Sequence, residues 1–163
     1  MNSPIRSLTE LPYGLPGKIF RSPLPFSPLF DPGGQLLEAF LAVEVDLVVM
    51  LTEPEEVLAL TGLDLEAQYQ DLGFDVLSVP VVDFSVPEKE PFRAAIMEVQ
   101  AAAQSGQTVV VHCHAGIGRT GMFTASMAKE ILRLDGRSAV EWVRQYIPDA
   151  VENQRQFQFV MDY

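Results

Sequence analysis

One cysteine stands in a setting that gives its sulfur something to do. In Thr108-Val109-Val110-Val111-His112-Cys113-His114-Ala115-Gly116-Ile117-Gly118-Arg119-Thr120-Gly121 an apolar run ends at Cys113, five residues follow, and an arginine and a hydroxyl residue come next. A lone cysteine is most often a small buried apolar residue; the neighbours set this one apart. Gly116 and Gly118 let residues His114, Ala115, Gly116, Ile117 and Gly118 curl with their N–H groups inward, and a helix opening near Arg119 adds partial positive charge. The same field favours the ionised sulfur, which is the nucleophilic form. Arg119 carries a planar fork that can hold two oxygens of a phosphate and follow them into a transition state. A thiolate, a ring of amides and a guanidinium are the parts needed for in-line attack on phosphorus.

The elements that must place this loop can be read on either side of it. Lys18–Arg21 reads as a short strand, stopped by Pro23 and Pro25. Leu36, Leu37, Phe40 and Leu41 fall at helical spacing within 35–43. Asp46–Leu51 is a continuous apolar run, the mark of a strand buried on both faces of a parallel sheet. Thr52 and Glu55 around Pro54 make a capping-box pattern, so a helix is expected there. A second short helix spans 64–71, a strand 74–80, and a loop with Asp83 and Pro87 covers 81–87. An amphipathic helix over 88–105 closes at Gly106. The strongest strand signal, 108–111, runs into Cys113, and a helix follows over about 119–134. Helices over 138–147 and 152–162 complete the chain. Strands alternating with helices predict a single-domain α/β fold, a central mainly parallel sheet flanked by helices. The domain is expected to occupy 1–163, with residues 1–16, rich in Pro, Ser and Gly, as an irregular arm. Phe92, Phe123, Trp142, Phe157 and Phe159 sit at spacings that suit core packing.

Bulk properties narrow the function classes. A chain of 163 residues, 48% hydrophobic and 20% charged, fits one globular domain. The net charge of −11 argues against binding nucleic acid or anionic membranes. No apolar run reaches the roughly 18 residues that span a bilayer, and the first residues lack a signal-peptide pattern. With a single cysteine, the expectation is a cytoplasmic protein in a reducing compartment. His112, Cys113 and His114 lie too close together to chelate one metal ion, so no metal or other cofactor is expected.

Residues 111–121 resemble the His-Cys-x5-Arg-Thr/Ser signature of the cysteine-based protein tyrosine phosphatases. The compact chain is similar to their small atypical dual-specificity branch from about Lys18 to its end. The resemblance implies a phosphatase that works through a phosphocysteine on Cys113, with Arg119 and residues 114–118 binding the phosphate. It implies an acid on a loop about thirty residues upstream, where Asp83 lies; Asp83 would protonate the leaving oxygen and later activate water. The competing readings are a turn-forming Asp83 and Asp75 as the acid, although Asp75 falls within a strand. Thr120 would assist the sulfur as leaving group, or bond to helix backbone. His112 would brace the cradle backbone. His114 could touch substrate, but reads better as an exposed loop side chain. Gln156 fits a recurring Gln of the family's last loop, and Glu152 stands where tyrosine-specific members carry a water-positioning Gln; a polar helix face is the plainer reading of both. Arg21 reads as structural. The expected partner is a phosphorylated protein or peptide, met by a monomer. No aromatic recognition loop is found, so a shallow pocket open to phosphotyrosine and phosphoserine or phosphothreonine is expected. The cradle has no Lys, which weakens a phosphoinositide substrate; nucleotides, metabolites and a non-catalytic phosphate-recognition module remain as alternatives.

Overall fold

The computed structural model describes residues 7–163. Its centre is a five-stranded sheet of β1 (Thr9–Leu11), β2 (Lys18–Ser22), β3 (Leu47–Met50), β4 (Asp75–Ser78) and β5 (Thr108–His112), in the order β1-β2-β5-β3-β4. β2, β5, β3 and β4 run parallel, and β1 pairs antiparallel with β2 at the edge. The sheet is therefore mixed and mainly parallel. β1 corrects the expectation of an irregular arm over 1–16: Thr9–Leu11 pairs with Ile19–Arg21. Leu11 and Tyr13 are buried, and the Tyr13 hydroxyl donates to the Thr124 carbonyl at 2.6 Å. Residues 1–6 of that expected arm lie outside the described residues.

Alternation along the strands divides the core in two. Ile19, Val49, Val109 and Val111 face one side, where α4 (Lys89–Gln104), α5 (Gly118–Leu132), α6 (Gly136–Arg144) and α7 (Gln154–Asp162) pack. Phe20, Val48, Met50 and Val110 face the other, covered by α1 (Leu36–Ala42), α2 (Pro54–Thr61) and α3 (Leu65–Asp71). β5 lies in the middle with every valine fully buried, as its apolar run requires. The aromatic residues pack as expected: Phe92 meets Phe123 and Phe159 edge-on at 5.1 and 5.3 Å.

Local chemistry sets the helix starts. Asp64, Asp135 and Asn153 each accept an N–H from the residue three positions on. The Thr52 capping box does not form. A residue before proline is held extended, so Glu53 (ψ 143) becomes the N-cap and Pro54 the first helical residue. Thr52 is displaced one position outside, its hydroxyl buried with no partner among the described residues. The register then places Ser22, His112 and Met50 side by side at the carboxyl ends of β2, β5 and β3. Open α/β sheets bind ligands at that edge. No described helix is long and apolar enough to cross a membrane.

Candidate active site

Cys113 follows the last residue of β5 and is only 2% exposed. The chain after it curls before α5 begins at Gly118, and its carbonyls are held from outside. The Cys113 carbonyl meets His112 Nδ1 at 3.3 Å, and the His114 carbonyl accepts from Leu24 N–H at 2.8 Å. Arg21 Nη2 and Nε donate to the Ala115 and Gly116 carbonyls at 2.8 and 3.1 Å. The Ile117 carbonyl takes Gly121 and Val151 N–H. In a planar trans peptide the N–H points opposite to the preceding C=O. Five carbonyls held in this way turn the N–H groups of residues 114–118 to the opposite side, as an anion cradle requires, and the Gly118 N–H meets the Glu152 carboxylate. Gly116 is required twice over, with φ +73 and a space that a Cβ would fill to 2.5 Å from Arg21 Nη2.

The groups behind the cradle are themselves braced. His112 is fully buried, and burial brings its pKa down to about 4. Its Nδ1 faces a carbonyl, so a neutral ring must carry its proton there, and Nε2 accepts from the Tyr69 hydroxyl at 2.9 Å. Arg21 is buried too, and desolvation lowers its pKa to about 10, with the neighbouring Cys113 opposing the shift.

Arg119 is 1% exposed. Its terminal nitrogens form a two-pronged pair with the Glu56 carboxylate, both contacts at 2.7 Å, and Nη1 also donates to the Val81 carbonyl at 2.9 Å. The end of the fork expected to hold phosphate is thus filled by Glu56. The side edge is left: Nε is buried with no partner among the described residues, and Nη2 lies 3.2 Å from Asp83 Oδ1. Burial alone would raise the Glu56 pKa, but its bonds to Arg119 outweigh that and hold it below the usual carboxylate value. Arg119 is correspondingly raised despite its burial.

A cavity of about 160 Å³ opens over the sulfur, lined by Cys113, His114, Ala115, Gly118, Arg119, Asp83 and Glu152 with Leu29, Phe30 and Phe84. Larger clefts of about 360, 440 and 460 Å³ bring neither Cys113 nor Arg119 to their walls, although the last shares Glu152. The structure thus gathers Cys113, Arg119, Asp83, His114, Ala115 and Gly118 on one cavity, whereas Gly116 and Ile117, also expected to bind phosphate, are not on its wall. The Thr120 hydroxyl donates to Cys113 Sγ at 3.2 Å. Asp83 begins a loop tied down by Asn153 Nδ2 to the Phe84 carbonyl at 2.9 Å and Gln156 Nε2 to the Ser85 carbonyl at 3.4 Å. Gln156 is fully buried, which replaces the plainer reading of a polar helix face. Asp75 is exposed on β4. His114 is half-buried rather than a free loop side chain: Nε2 lies 3.1 Å from Ser27 Oγ, and the ring meets Phe30 edge-on at 5.0 Å. Glu56 and Tyr69 were missed from the sequence, because neither is near the cysteine in the chain.

A family model described as Tc-R-P, polymorphic toxin system, DSP-PTPase phosphatase, matches residues 35–130. The chain belongs to this family. The stretch that carries the match holds Glu56, Tyr69, Asp83 and the whole Cys113–Thr120 loop, whereas Arg21, Glu152 and Gln156 lie outside it. Among curated proteins, one of Methanocaldococcus jannaschii is 36% identical over 89 residues, 53% of this chain and 58% of that protein. The protein tyrosine phosphatase domain-containing protein 1 of Mus musculus is 25% identical over 138 residues, 79% of this chain but 18% of its own length. The chain thus spans little more than half of one relative and a small part of the other. Among solved structures, Tk-PTP in its G95A mutant form superposes with a TM-score of 0.79 at 26% identity, over 97% of this chain and 94% of that one. In sequence and in shape the chain is a phosphatase-family α/β domain.

Proposed function

We propose that the chain hydrolyses phosphate monoesters of phosphotyrosine and phosphoserine or phosphothreonine in proteins, through a phosphocysteine on Cys113. The observation that carries this reading is that Cys113 and Arg119 line one small cavity, with Arg119 Nε buried and without a partner among the described residues. A buried donor without a partner is costly, and a phosphate oxygen would satisfy it. In the first step the Cys113 thiolate forms a bond to phosphorus as the ester P–O bond breaks, and Asp83 gives its proton to the leaving oxygen. The cradle amides and the side edge of Arg119 hold the charge on the equatorial oxygens. In the second step Asp83, now a carboxylate, takes the proton of a water whose oxygen bonds to phosphorus, and the S–P bond breaks as the sulfur leaves as a thiolate helped by the Thr120 hydroxyl.

Substrate breadth follows from the walls. The cavity is small, and its lip is Leu29 and Phe84, 58% and 63% exposed. Such a lip can take an aryl ring without a deep slot that an alkyl phosphate could not fill. The same reading has one domain over 1–163 acting as a monomer in the cytoplasm.

The test is a panel of an aryl phosphate, phosphotyrosine and phosphoserine/threonine peptides, and phosphoinositide vesicles, with Cys113→Ser and Asp83→Asn alongside. Hydrolysis of the aryl and peptide substrates should vanish in Cys113→Ser and fall about 10²-fold or more in Asp83→Asn. Full activity in Cys113→Ser overturns the mechanism, and turnover of the vesicles alone overturns the substrate class.

A further inference from the structure

The sheet ends at β4 with one side open: among the described residues only β3 lies beside it. On the β3 side Asp75, Val79 and Val81 give their N–H to the Asp46, Met50 and Leu51 carbonyls. Backbone groups alternate sides along an extended chain, so Val76 and Ser78 turn their N–H and C=O outward. Pro80 takes the next outward position, where a residue without an N–H is tolerated.

A strand laid along this edge would send its side chains alternately to the two faces of the sheet. A cleft lies on each face. One of about 440 Å³, on the α4 side, is lined by Leu77, Val79, Pro80, Pro87 and Ala94. The other, about 360 Å³, opens between α2 and α3 and is lined by Met50, Val57, Leu58 and Leu65. Ser78 lines both, so the two clefts flank the open edge. Leu58 is 58% exposed, and on the same wall lies Thr52, whose buried hydroxyl has no partner among the described residues. Such a hydroxyl is costly to leave unpaired, and a polar atom of an entering side chain would satisfy it.

Every charged residue on the two clefts is acidic: Asp64 and Glu66 on one, Glu88 and Glu98 on the other. Asp75, exposed at the start of β4, adds to them. The cations of the first turns of α4, Lys89 and Arg93, are turned to the Asp162 carbonyl and to Glu130. We propose that the β4 edge docks an extended segment of another protein, in which a run of mostly apolar, β-forming residues is flanked by lysines or arginines. A run as long as β4, four residues, pairs with Val76 and Ser78 and fills both clefts with alternate side chains. The flanking cations meet the acidic rim. A second copy of this chain is the poorer occupant, because it would bring the same acidic rim against itself. Pro80 and Pro87 bracket the loop that carries Asp83, so a docked segment rests against both ends of that loop. The docking is independent of the chemistry at Cys113.

The experiment is fluorescence anisotropy of the full chain with a labelled peptide, Lys-Lys-Val-Thr-Val-Leu-Lys-Lys. A second peptide holds the same residues with lysine at every other position, so that it can fill only one cleft at the same charge. Saturable binding is expected for the first peptide, and binding weaker by about tenfold or more for the second. Ser78→Pro removes an outward N–H, and Ala94→Arg and Leu58→Arg each fill one cleft from an exposed position of a helix. Each should weaken the first peptide about tenfold, with thermal unfolding run to show that the variant is folded. If Ser78→Pro fails to fold, the two arginine variants carry the test. No saturable binding up to about 1 mM, equal binding of the two peptides, or unchanged affinity in the folded variants overturns the proposal. Sedimentation that shows a dimer, lost in Ala94→Arg, would give the edge to a second copy and overturn it as well.

Discussion

Replacing Glu56 by Ala isolates the contact on which the orientation of Arg119 depends. The guanidinium is 1% exposed and meets Glu56 through two 2.7 Å bonds, while the carboxylate is 18% exposed. Breaking a buried pair from one side leaves the other charge unpaired, at a cost of about 3–5 kcal/mol when both partners are fully enclosed. Partial exposure of Glu56 places this case at the low end, about 3 kcal/mol. For a chain of this length each kcal/mol moves the midpoint by roughly 2–4 °C, so Tm should fall by about 6–12 °C. Activity should suffer separately. Arg119 would keep only Val81 and Asp83 as partners, and a shift of its side edge of about 1 Å costs on the order of 10²-fold in kcat/KM. Glu56→Gln, which retains one acceptor, should fall between wild type and Glu56→Ala in both quantities. Thermal unfolding and steady-state hydrolysis of an aryl phosphate measure them. An unchanged Tm with kcat/KM within about threefold of wild type would show that Arg119 is held by its other contacts, and the argument would fail.

Other perturbations test other parts of the site. Gly116→Ala must place a side chain at φ +73 and 2.5 Å from Arg21 Nη2, so it should lose about 2 kcal/mol or more in denaturant unfolding and most of its activity. The His112 pKa is about 4 in the fold against about 6.5 unfolded. The unfolded chain therefore binds the extra proton between those values, and stability should drop as pH falls from about 6.5 towards 4, by up to about 1.4 kcal/mol per unit. His112→Asn should flatten that part of the urea-midpoint profile; an unaltered slope would contradict the assignment. Asp83 competes with phosphate for Arg119 Nη2, so Asp83→Asn should bind inorganic phosphate about fivefold tighter, roughly 1 kcal/mol, measured as competitive inhibition of residual hydrolysis. Equal or weaker inhibition refutes that competition.

What could be read from the chain was what lies close along it. The run Thr108–His112, the curl to Gly118 and the helix behind Arg119 are contiguous, and each is written in local residue types: β-branched, then Gly-bearing, then helix-forming. Asp64 likewise starts a helix through the residue three positions away; Asp135 and Asn153 do the same, although the helices they open were expected to begin at 138 and 152. The braces were not legible for the same reason in reverse. Arg119 and Glu56 are 63 positions apart, His112 and Tyr69 are 43, and Arg21 and Gly116 are 95. Only the strand register decides that these meet, and nothing sets Glu56 apart from the other acidic residues of a chain that has 22. β1, at three residues, is too short for its alternation to register.

The two carboxylates on Arg119 bear on how a protein of net charge −11 can hold a phosphate at all. Arg119 alone does not make the site positive, because Glu56 and Asp83 both stand within 3.2 Å of it. Glu56 cancels its charge while fixing its direction, so what Arg119 brings is aimed donors rather than net potential. The positive field must come from elsewhere: the inward N–H groups of 114–118, the amino end of the 15-residue α5, and Arg21. Arg21 touches the cradle only through carbonyls, yet its burial leaves little solvent to screen it, and it lies close enough to Cys113 for the two charges to interact. A field from buried, fixed groups weakens little with salt. Phosphate affinity should then vary far less with ionic strength than it would if a surface patch of lysines supplied the attraction.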